Sequence, residues 1–415
     1  MLHMLRSQLF VKTSKTPPAD ADSINARLLT QGGFIHKQMA GVYNYLPMGL
    51  RVLRKIQHII REEMNALGAH EILMPALTQL ESYKTTGREN LDILFRARGH
   101  DESEYVLNQS HEEVVTPLVQ KHVFSYRDLP VAVYQIQDKF RNEPRAKSGI
   151  LRGREFNMKD LYSFHATGDD LNAFYEQVSR AYVKILNHIG IGDRTVFTYA
   201  SGGSFSSYSH EFQTLCETGE DTIYLCSQCN VAVNKEIIHE QDRCPECGNK
   251  NLTERSAIEV GNIFKLRSRF SEAFNFTYVD AEGSSHLVEM GCYGIGPSRL
   301  MGTLVELFND AKGIIWPQSI APFDTHLLGL DADDRDIFEL AQKVYQRLSE
   351  HGIEVLYDDR RDVSAGEKLA EADLIGIPWR VIVSKRTGDR LELKERKATT
   401  PELLTVEQCV ARIRV

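Results

Sequence analysis

Two stretches of this sequence carry residues that could hold a nucleoside triphosphate. One is DKFRNEPRAKSGILRGREF, from Asp138 to Phe156, in which several arginines lie between two phenylalanines. Arginine offers a planar fork of donors to phosphate oxygens, and an aromatic ring can stack on a base. The other is CYGIGPSRLMG, in which Gly294 and Gly296 permit close backbone approach and Arg299 opens a predicted helix. Because charged hairpins are usually solvated surface, only the combination of the two stretches favours a phosphate site.

A third stretch, NQSHEE, could bind a substrate ammonium group. It runs from Asn108 to Glu113, after a predicted strand and at the start of a helix expected from about Glu112. The hydroxyl of Ser110 and the carboxylate of Glu112 are expected to face the same way from the end of that strand. Since both groups can accept hydrogen bonds from an amine, the sequence predicts an amine-binding position here.

Four of the seven cysteines form two CxxC pairs, which indicates a metal rather than disulfides. Fourteen residues separate the two pairs. The four thiolates of Cys226, Cys229, Cys244 and Cys247 could close a tetrahedron around a structural Zn²⁺. The alternative is a pair of reduced turns that bind no metal. The surrounding residues 221–257 are predicted to form a small zinc-ribbon-like insert.

The order of strands and helices predicts two domains. Residues 1–320 contain a run of antiparallel strands with few helices between them, which predicts an α+β domain around a six- to seven-stranded sheet. Within it, Asp138 to Phe156 is predicted to be the end, loop and start of a β-hairpin. From Thr325 strands and helices alternate, which predicts a doubly wound α/β domain over residues 321–415. The YDDR segment of that domain lies at a strand's carboxyl end, where such folds bind ligands.

Smaller segments are also predicted from periodicity. Residues 1–46 are expected to be an extended, turn-rich lead-in. Apolar residues three to four positions apart predict a helix over residues 50–67, and a long amphipathic helix is expected over residues 169–190. The segment AHEILMPAL is expected to be a strand that reaches Pro75, at the edge or end of a sheet.

Composition limits the classes of protein to consider. The chain has 415 residues, of which 42% are hydrophobic and 26% charged, as is ordinary for a soluble globular protein. No apolar run approaches the roughly 20 residues that span a bilayer, and the start lacks a signal peptide, so a cytoplasmic location without a membrane partner is expected. The net charge of −8 excludes a generally basic nucleic-acid binder. Any RNA would therefore have to bind at local basic patches, such as residues 380–397, which carry a local charge of +4.

The motifs of this chain resemble those of the class II aminoacyl-tRNA synthetases. FRNE with GREF resembles their motif 2, GIGPSR their motif 3, and GAHEILMP their motif 1 with its terminal proline. Segments such as REFNMKDLYSFH, SHEFQTL, EVGNIF and GIIWPQSIAPF are similar to those of the bacterial-type prolyl-tRNA synthetases, over essentially the whole chain. Two departures are Ser110 in place of threonine in the family's TxE loop, and Asn262 in place of histidine in its GHIF segment.

The resemblance implies that L-proline is activated with ATP and Mg²⁺ and is then passed to the terminal ribose of tRNA-Pro. Such chemistry depends on positioning and charge neutralisation rather than on a protein nucleophile. As the catalytic residues, Arg141 would bridge the proline carboxylate and the α-phosphate, and Arg299 would hold the γ-phosphate. Arg152 would help bend the triphosphate. Phe156 would stack on adenine, and Glu143 would accept from its amine.

The resemblance also implies a pocket for a secondary ammonium and a small apolar ring. Ser110 and Glu112 would accept from the ammonium, while His210 and Cys292 would line the pocket. For Cys292 the alternative is a small buried hydrophobe. Arg145 is a candidate contact to the acceptor end of the tRNA.

Further implications concern assembly and fidelity. Motif 1 implies a homodimer, and residues 321–415 would form the anticodon-binding domain. Many bacterial prolyl enzymes carry a large editing domain where this chain has its Cys-rich insert. The short insert therefore predicts no cis editing of mischarged alanine.

Three alternative functions are a synthetase for threonine, glycine, serine or histidine, an inactive synthetase-like RNA-binding subunit, and a zinc-ribbon nucleic-acid binder. The retained Arg141, Glu143 and Arg299 argue against the second, and the third explains only the Cys-rich insert.

Overall fold

The computed structural model describes residues 4–331 and 333–414. Contacts between residues divide this part of the chain into two compact units. The terminal unit takes in the described parts of residues 1–38, 43–55 and 304–415, and the central unit consists of residues 39–42 and 56–303. The division follows packing rather than chain order, and the domain boundaries predicted from the sequence stay predictions.

The described residues contain ten α-helices. Several begin at a polar side chain that accepts a hydrogen bond from a backbone N–H of the first turn, as Ser23, Thr167 and Ser364 do. The helices are α1 (Ile24–Gln31), α2 (Pro47–Ala66), α3 (Leu80–Thr85), α4 (Glu112–Gln120), α5 (Gly168–His188), α6 (Arg269–Ala273), α7 (Pro297–Leu307), α8 (Arg335–Glu350), α9 (Ala365–Ile375) and α10 (Val406–Ile413). The helices predicted over residues 50–67, from Glu112 and over residues 169–190 are confirmed as α2, α4 and α5.

The strands number twenty-four within the same residues. The first twelve are β1 (Met4–Leu5), β2 (Ile35–Met39), β3 (Val42–Tyr45), β4 (His70–Glu71), β5 (Leu77–Gln79), β6 (Phe95–Arg98), β7 (Glu104–Leu107), β8 (Val131–Phe140), β9 (Glu155–His165), β10 (Thr195–Ser201), β11 (Tyr208–Leu215) and β12 (Asp221–Cys226). The others are β13 (Val231–Asn234), β14 (Leu252–Arg267), β15 (Thr277–Val279), β16 (Ser285–Leu287), β17 (Glu289–Ile295), β18 (Asn309–Asp310), β19 (Gly313–Ile314), β20 (Thr325–Gly329), β21 (Val355–Asp358), β22 (Trp379–Val383), β23 (Leu391–Glu395) and β24 (Glu402–Leu404).

A nine-stranded, mostly antiparallel sheet forms the core of the central unit. Its order is β11-β10-β13-β12-β14-β17-β9-β8-β4, and β11 also pairs with β14. The prediction was six to seven strands. The sheet is wider because β12 and β13, which belong to the Cys-rich insert, pair with β14 and β10 and extend it. The insert is therefore continuous with the sheet.

The predicted β-hairpin is confirmed as β8 and β9. The two strands are antiparallel, and their last pair is Phe140 with Glu155. Arg141 N–H still donates to the carbonyl of Arg154 at 2.8 Å, but the chain then leaves the sheet. Arg141 and Glu143 both follow the end of β8, so neither lies within a strand of the sheet.

Two smaller expectations are corrected. The lead-in over residues 1–46 is not wholly extended, because Ser23 caps the helix α1 within it. The segment AHEILMPAL forms the two-residue strand β4, which pairs with β8, and its last residue, Leu77, begins β5. Between them, the N–H of Met74 donates to the side chain of Gln135 at 3.0 Å instead of to a strand backbone.

A six-stranded sheet forms the core of the terminal unit, in the order β1-β21-β20-β22-β23-β24. Strands β1, β21, β20 and β22 are parallel, and β23 and β24 are antiparallel additions. Helix α8 packs on this sheet through buried residues such as Ala341 and Leu348. The strand and helix alternation predicted from Thr325 is confirmed, and β1 from the start of the chain joins it.

Candidate active site

A cavity of about 330 Å³ opens at the nine-stranded sheet of the central unit. It brings together residues from the hairpin, from the start of α4, from β17 and from α7. Eight of the residues predicted from the sequence line it, namely Ser110, Glu112, Arg141, Glu143, Arg152, Phe156, Cys292 and Arg299. Arg141 and Arg299, which are far apart in the chain, therefore share one cavity.

Arg141 lies at the cavity wall beside an aromatic ring. Its guanidinium carbon is 5.1 Å from the ring centre of Phe156. Its Nε is buried without a hydrogen-bond partner among residues 4–331 and 333–414. Burial lowers the pKa of Arg141, and the nearby Arg299 lowers it further, against the opposing effect of Glu259. Because an arginine stays protonated in proteins, this arrangement leaves a positive charge available to an anion.

Arg299 and Arg152 are already bonded to carboxylates at the same cavity. Nη1 of Arg299 donates to the backbone oxygen of Glu259 at 2.9 Å and to its Oε2 at 3.1 Å. Nη2 of Arg152 donates to Oε2 of Glu143 at 2.9 Å, and Arg152 also lies 3.7 Å from Glu220. The predicted contacts of Arg152 with phosphate and of Glu143 with adenine would therefore replace an existing ion pair.

A fully buried arginine organises the end of the cavity that contains Ser110 and Glu112. Arg88 is 2% exposed. Its Nη1 donates to Glu112 at 3.1 Å and to Glu113 at 2.9 Å, and its Nη2 donates to the hydroxyl of Ser110 at 3.3 Å. The thiol of Cys292 donates to the other oxygen of Glu112 at 3.2 Å. Burial, followed by the Glu112 carboxylate, raises the pKa of this thiol well above its ordinary value.

The role of Arg88 was missed from the sequence. It lies in TTGREN, where a single arginine between polar residues has no spacing that indicates burial. The wall beside it includes Phe205, which was also given no role from the sequence. The guanidinium carbon of Arg88 lies 4.6 Å from the ring centre of Phe205. This contact adds a cation–π interaction to the ion pairs of Arg88 with Glu112 and Glu113.

Two predicted residues lie outside the cavity lining. His210 stacks on Phe197 with ring centres 4.7 Å apart, and its Nδ1 is 2.6 Å from the hydroxyl of Tyr175. Burial lowers the pKa of His210 to about 4. Successive residues of a strand face opposite sides, and in β11 it is the next residue, Glu211, that faces the cavity. Arg145 is exposed in the loop after β8.

An acidic group beside Arg299 was also missed from the sequence. Glu211 and Glu259 both line the cavity, and Nδ2 of Asn262 lies 3.3 Å from the first and 3.2 Å from the second. Burial and the charge of Glu259 raise the pKa of Glu211 to about 8. Only the pairing of β11 with β14 brings these residues together.

The four cysteines of the insert converge on one point. Their sulfur atoms all lie within 4.8 Å of one another, with 3.6 Å between Cys226 and Cys247 and 3.3 Å between Cys229 and Cys244. Zinc–sulfur bonds of about 2.3 Å place the corners of a tetrahedron about 3.8 Å apart. The arrangement therefore fits a tetrahedral metal.

No helix within the described residues is long and apolar enough to cross a membrane.

Comparison with known proteins gives consistent matches to one family. The model for the tRNA synthetase class II core domain (G, H, P, S and T) matches residues 95–308, and the model for an anticodon binding domain matches residues 319–415. The chain is 31% identical to the proline–tRNA ligase of Citrifermentans bemidjiense, over 99% of this chain and 98% of the relative. It is 32% identical to that of Exiguobacterium sibiricum, over 96% and 97%. These alignments run over 566 and 549 positions against the 415 residues here, so the relatives contain segments that this chain lacks.

Solved structures share the fold at lower identity. The prolyl-tRNA synthetase from Cryptosporidium parvum, complexed with halofuginone and AMPPNP, has a TM-score of 0.77 at 15% identity, over 94% of this chain and 76% of that chain. The Giardia lamblia prolyl-tRNA synthetase, in complex with prolyl-adenylate, has a TM-score of 0.75 at 18% identity, over 92% and 74%. Together with the family models and the curated relatives, these similarities show that the chain belongs to the class II aminoacyl-tRNA synthetases, in the proline–tRNA ligase family.

Proposed function

We propose that this chain ligates L-proline to tRNA-Pro in two steps that consume ATP. In the first step, a carboxylate oxygen of proline attacks the α-phosphorus of ATP in line and pyrophosphate leaves. In the second, a hydroxyl of the terminal adenosine of tRNA attacks the carbonyl carbon of the prolyl-adenylate and AMP leaves. The observation that carries the proposal is that Arg141, whose Nε is buried without a hydrogen-bond partner in the described chain, lines the same cavity as Arg299 and Glu112.

The charges of the cavity support a division between a phosphate side and an amine side. Arg141, between the two sides, bridges the proline carboxylate and the α-phosphate. Arg299 holds the γ-phosphate, and Arg152 helps bend the chain of phosphates once it leaves Glu143. Since charge moves from the carboxylate onto phosphate oxygens, fixed guanidinium groups stabilise the transition state more than the ground state.

The adenine is proposed to lie against Phe156, with Glu143 accepting from its amine. Phe156 already supports the guanidinium of Arg141. One face of its ring can therefore hold the arginine while the base stacks nearby.

Mg²⁺ fits the oxygen-rich wall beside Arg299. Glu211 and Glu259 supply carboxylate oxygens, and Oδ1 of Asn262 is buried without a hydrogen-bond partner in the described chain. Magnesium prefers oxygen ligands and is commonly held by one or two carboxylates together with substrate phosphates. When bound, it would neutralise negative charge on the phosphate oxygens.

The amine side is proposed to select a secondary ammonium. Glu112 and Ser110 accept from it, and Arg88 holds both of these acceptors in place. Cys292 lines the space for a small apolar ring. His210 is proposed to support this pocket through Tyr175 rather than by contact with proline, since it lies outside the cavity lining.

Several finer properties belong to the same proposal. Arg145, which is exposed, contacts the acceptor end of the tRNA, and residues 321–415 bind its anticodon. The enzyme is proposed to be a cytoplasmic homodimer. The four cysteines, Cys226, Cys229, Cys244 and Cys247, hold a structural Zn²⁺, which metal analysis of the purified protein and of a Cys244→Ser variant can test. One equivalent of zinc per chain is expected, with loss in the variant.

The short Cys-rich insert supports the absence of cis editing. We expect alanine-charged tRNA-Pro to persist with this enzyme, because no large editing domain occupies residues 221–257. Rapid enzymatic hydrolysis of that RNA would contradict this part of the proposal without affecting the ligase activity.

The main experiment is ATP–pyrophosphate exchange with each amino acid in turn. Exchange with proline is expected to exceed exchange with threonine, glycine, serine and histidine. A preference for one of these four amino acids would show that the chain is a synthetase for that amino acid and not for proline. No exchange with any amino acid would favour an inactive, RNA-binding relative.

A further inference from the structure

A side-chain network links the Cys-rich insert to the phosphate side of the cavity. Asn234 ends β13, between the two CxxC pairs, and is 8% exposed. Its Nδ2 donates to Oε2 of Glu211 at 3.0 Å. Its Oδ1 accepts from the N–H of Glu236 at 3.1 Å and so caps the short turn that follows. The two ends of this one amide therefore have different partners, Glu211 on β11 and Glu236 in the insert, and both partners line the cavity.

The network continues from Glu211 to Arg299. Oε1 of Glu211 accepts from Nδ2 of Asn262 at 3.3 Å, and the same Nδ2 lies 3.2 Å from Oε1 of Glu259. The other carboxylate oxygen of Glu259 accepts from Arg299 at 3.1 Å. All four of these residues line the cavity, whereas Asn234 lies behind them. Asn234 can therefore act on a ligand through Glu211 and through the capped turn that carries Glu236, which also lines the cavity.

The position of Glu211 depends on its donors because the residue is buried. Its side chain is 8% exposed, and besides Asn234 it accepts from Nε2 of Gln213 at 2.8 Å. A buried carboxyl group that loses a donor must rotate, find another partner or admit water. Each of these changes would alter the charge or the geometry of the wall that Asn262 and Glu259 share with it.

We propose that Asn234 is a positioning residue through which the Cys-rich insert orients Glu211 and the phosphate side of the active site. The inference rests on the proposed function, which assigns the Arg299 end of this network to the triphosphate. Because the CxxC pairs lie on both sides of β13, a metal bound by the four thiolates fastens the segment that carries Asn234. The insert thus contributes to ATP binding although its cysteines lie outside the cavity lining.

Asn234→Asp is the sharpest test. It keeps the size of the side chain and the capping oxygen, but it places a carboxylate where Glu211 needs a donor. In proline-dependent exchange, the KM for ATP is expected to rise about tenfold, as for the loss of one buried hydrogen bond, with the KM for proline within twofold of the parent. Asn234→Ala, which lacks both ends of the amide, is expected to show a similar rise together with a lower Tm.

A matched control lies in the same insert. Gln241→Glu makes the same change from amide to acid, at a residue whose Nε2 donates to the backbone carbonyl of Arg243. Both KM values and the Tm of this variant are expected to equal those of the parent. A rise in the KM for ATP equal to that of Asn234→Asp would show that any added charge in the insert has the effect, and would overturn the proposal.

Direct titration with AMPPNP, without proline, separates this inference from the proposed function. The proposal is wrong if Asn234→Asp and Asn234→Ala bind AMPPNP as tightly as the parent does. It is also wrong if both variants lose proline and AMPPNP affinity equally, since that indicates general loss of structure. A parent that binds AMPPNP but shows no exchange with proline refutes the proposed function alone, and the titration still decides the role of Asn234. A parent that does not bind AMPPNP refutes both.

Discussion

One arginine of the cavity, Arg141, is bonded differently from two arginines of the terminal unit, Arg360 and Arg396. In the terminal unit, Arg360 donates to both oxygens of Asp358, at 2.9 and 2.6 Å. Arg396 likewise donates to both oxygens of Asp310, at 2.9 and 2.8 Å. In the cavity, by contrast, Nε of Arg141 is buried with no partner in the described chain. A guanidinium group that is paired with a carboxylate has used its hydrogen-bond donors and stabilises the fold. A guanidinium group without such a partner keeps its donors for an anionic ligand.

The YDDR segment, at the end of β21, was expected to bind a ligand. Asp358 is fully buried and bonded to Arg360, and Asp359 accepts from the N–H and the hydroxyl of Ser7 at 3.0 and 2.6 Å. These groups therefore already have partners within the terminal unit. The ligand role of YDDR stays a prediction, but the bonding favours a structural role.

Replacing the unpaired arginine should give the largest effect on activity. For Arg141→Gln, we expect kcat/KM in proline-dependent exchange to fall about 10³-fold, as when a donor to the transition state is removed. The free energy of unfolding should change by less than about 1 kcal/mol, because no ion pair is lost. Exchange kinetics and urea unfolding of the same preparation provide the measurement. Activity within tenfold of the parent would remove the distinction between the two sets of arginines.

Replacing a paired arginine should have the opposite result. Arg360→Met leaves the carboxylate of Asp358 buried without its main partner and should lower the free energy of unfolding by about 3 kcal/mol. The kcat of proline-dependent exchange should stay within twofold at a temperature where the variant is folded. The control is Arg335→Met, whose side chain is 89% exposed in its pair with Glu339, and which should cost less than about 0.5 kcal/mol. Equal losses in the two variants would contradict the expected role of burial.

The two carboxylates that share Arg88 allow a smaller and more local test. Glu112 lines the cavity and Glu113 does not, although both pair with this arginine. Glu112→Gln should raise the KM for proline about 30-fold, because the ammonium loses its charged acceptor, with the KM for ATP within twofold. Glu113→Gln should lower the Tm and leave the KM for proline within about threefold. Similar KM values for proline in the two variants would place the ammonium elsewhere.

The smallest expected effect is a pH dependence of stability at Asp310, which is paired with Arg396. The hydrogen bonds from Arg396 lower the pKa of Asp310 from 3.8 to about 2. A carboxyl with a lowered pKa stabilises the folded state above its unfolded pKa, and this contribution is lost as the pH falls through the folded value. Asp310→Asn should therefore be less stable than the parent by about 1 kcal/mol at pH 7, after allowance for solvent screening of a side chain that is 40% exposed.

That difference should shrink as the pH falls from about 4 towards 2, where Asp310 becomes protonated in the parent as well. Urea midpoints of both proteins at pH 7, 4.5 and 3 give the comparison. A difference that stays constant over this range would show that shape or packing, and not charge, is what the substitution removes.

Local patterns in the sequence account for much of the fold. The hairpin, the helices α2, α4 and α5 and the alternation after Thr325 were all predicted, because amphipathic periodicity and turn residues are properties of short segments. Helix α1 was missed since its eight residues have little periodicity of their own and rely on the cap at Ser23. The sheet was predicted to be narrower than it is because β12 and β13 were assigned to the Cys-rich insert and were not counted as strands of the sheet.

The sequence by itself singled out Arg141, Arg299, Glu112 and the paired cysteines as candidates, since their types and spacings form motifs. Only the tertiary structure decided that Arg88 holds Glu112, that Asn234 holds Glu211 and that His210 faces away from the cavity. A buried polar residue is defined by its partners, and these partners lie on other strands and helices whose pairing no local pattern states. The direction of a strand side chain likewise depends on which face of the sheet borders the cavity, and the packing of the whole unit sets that face.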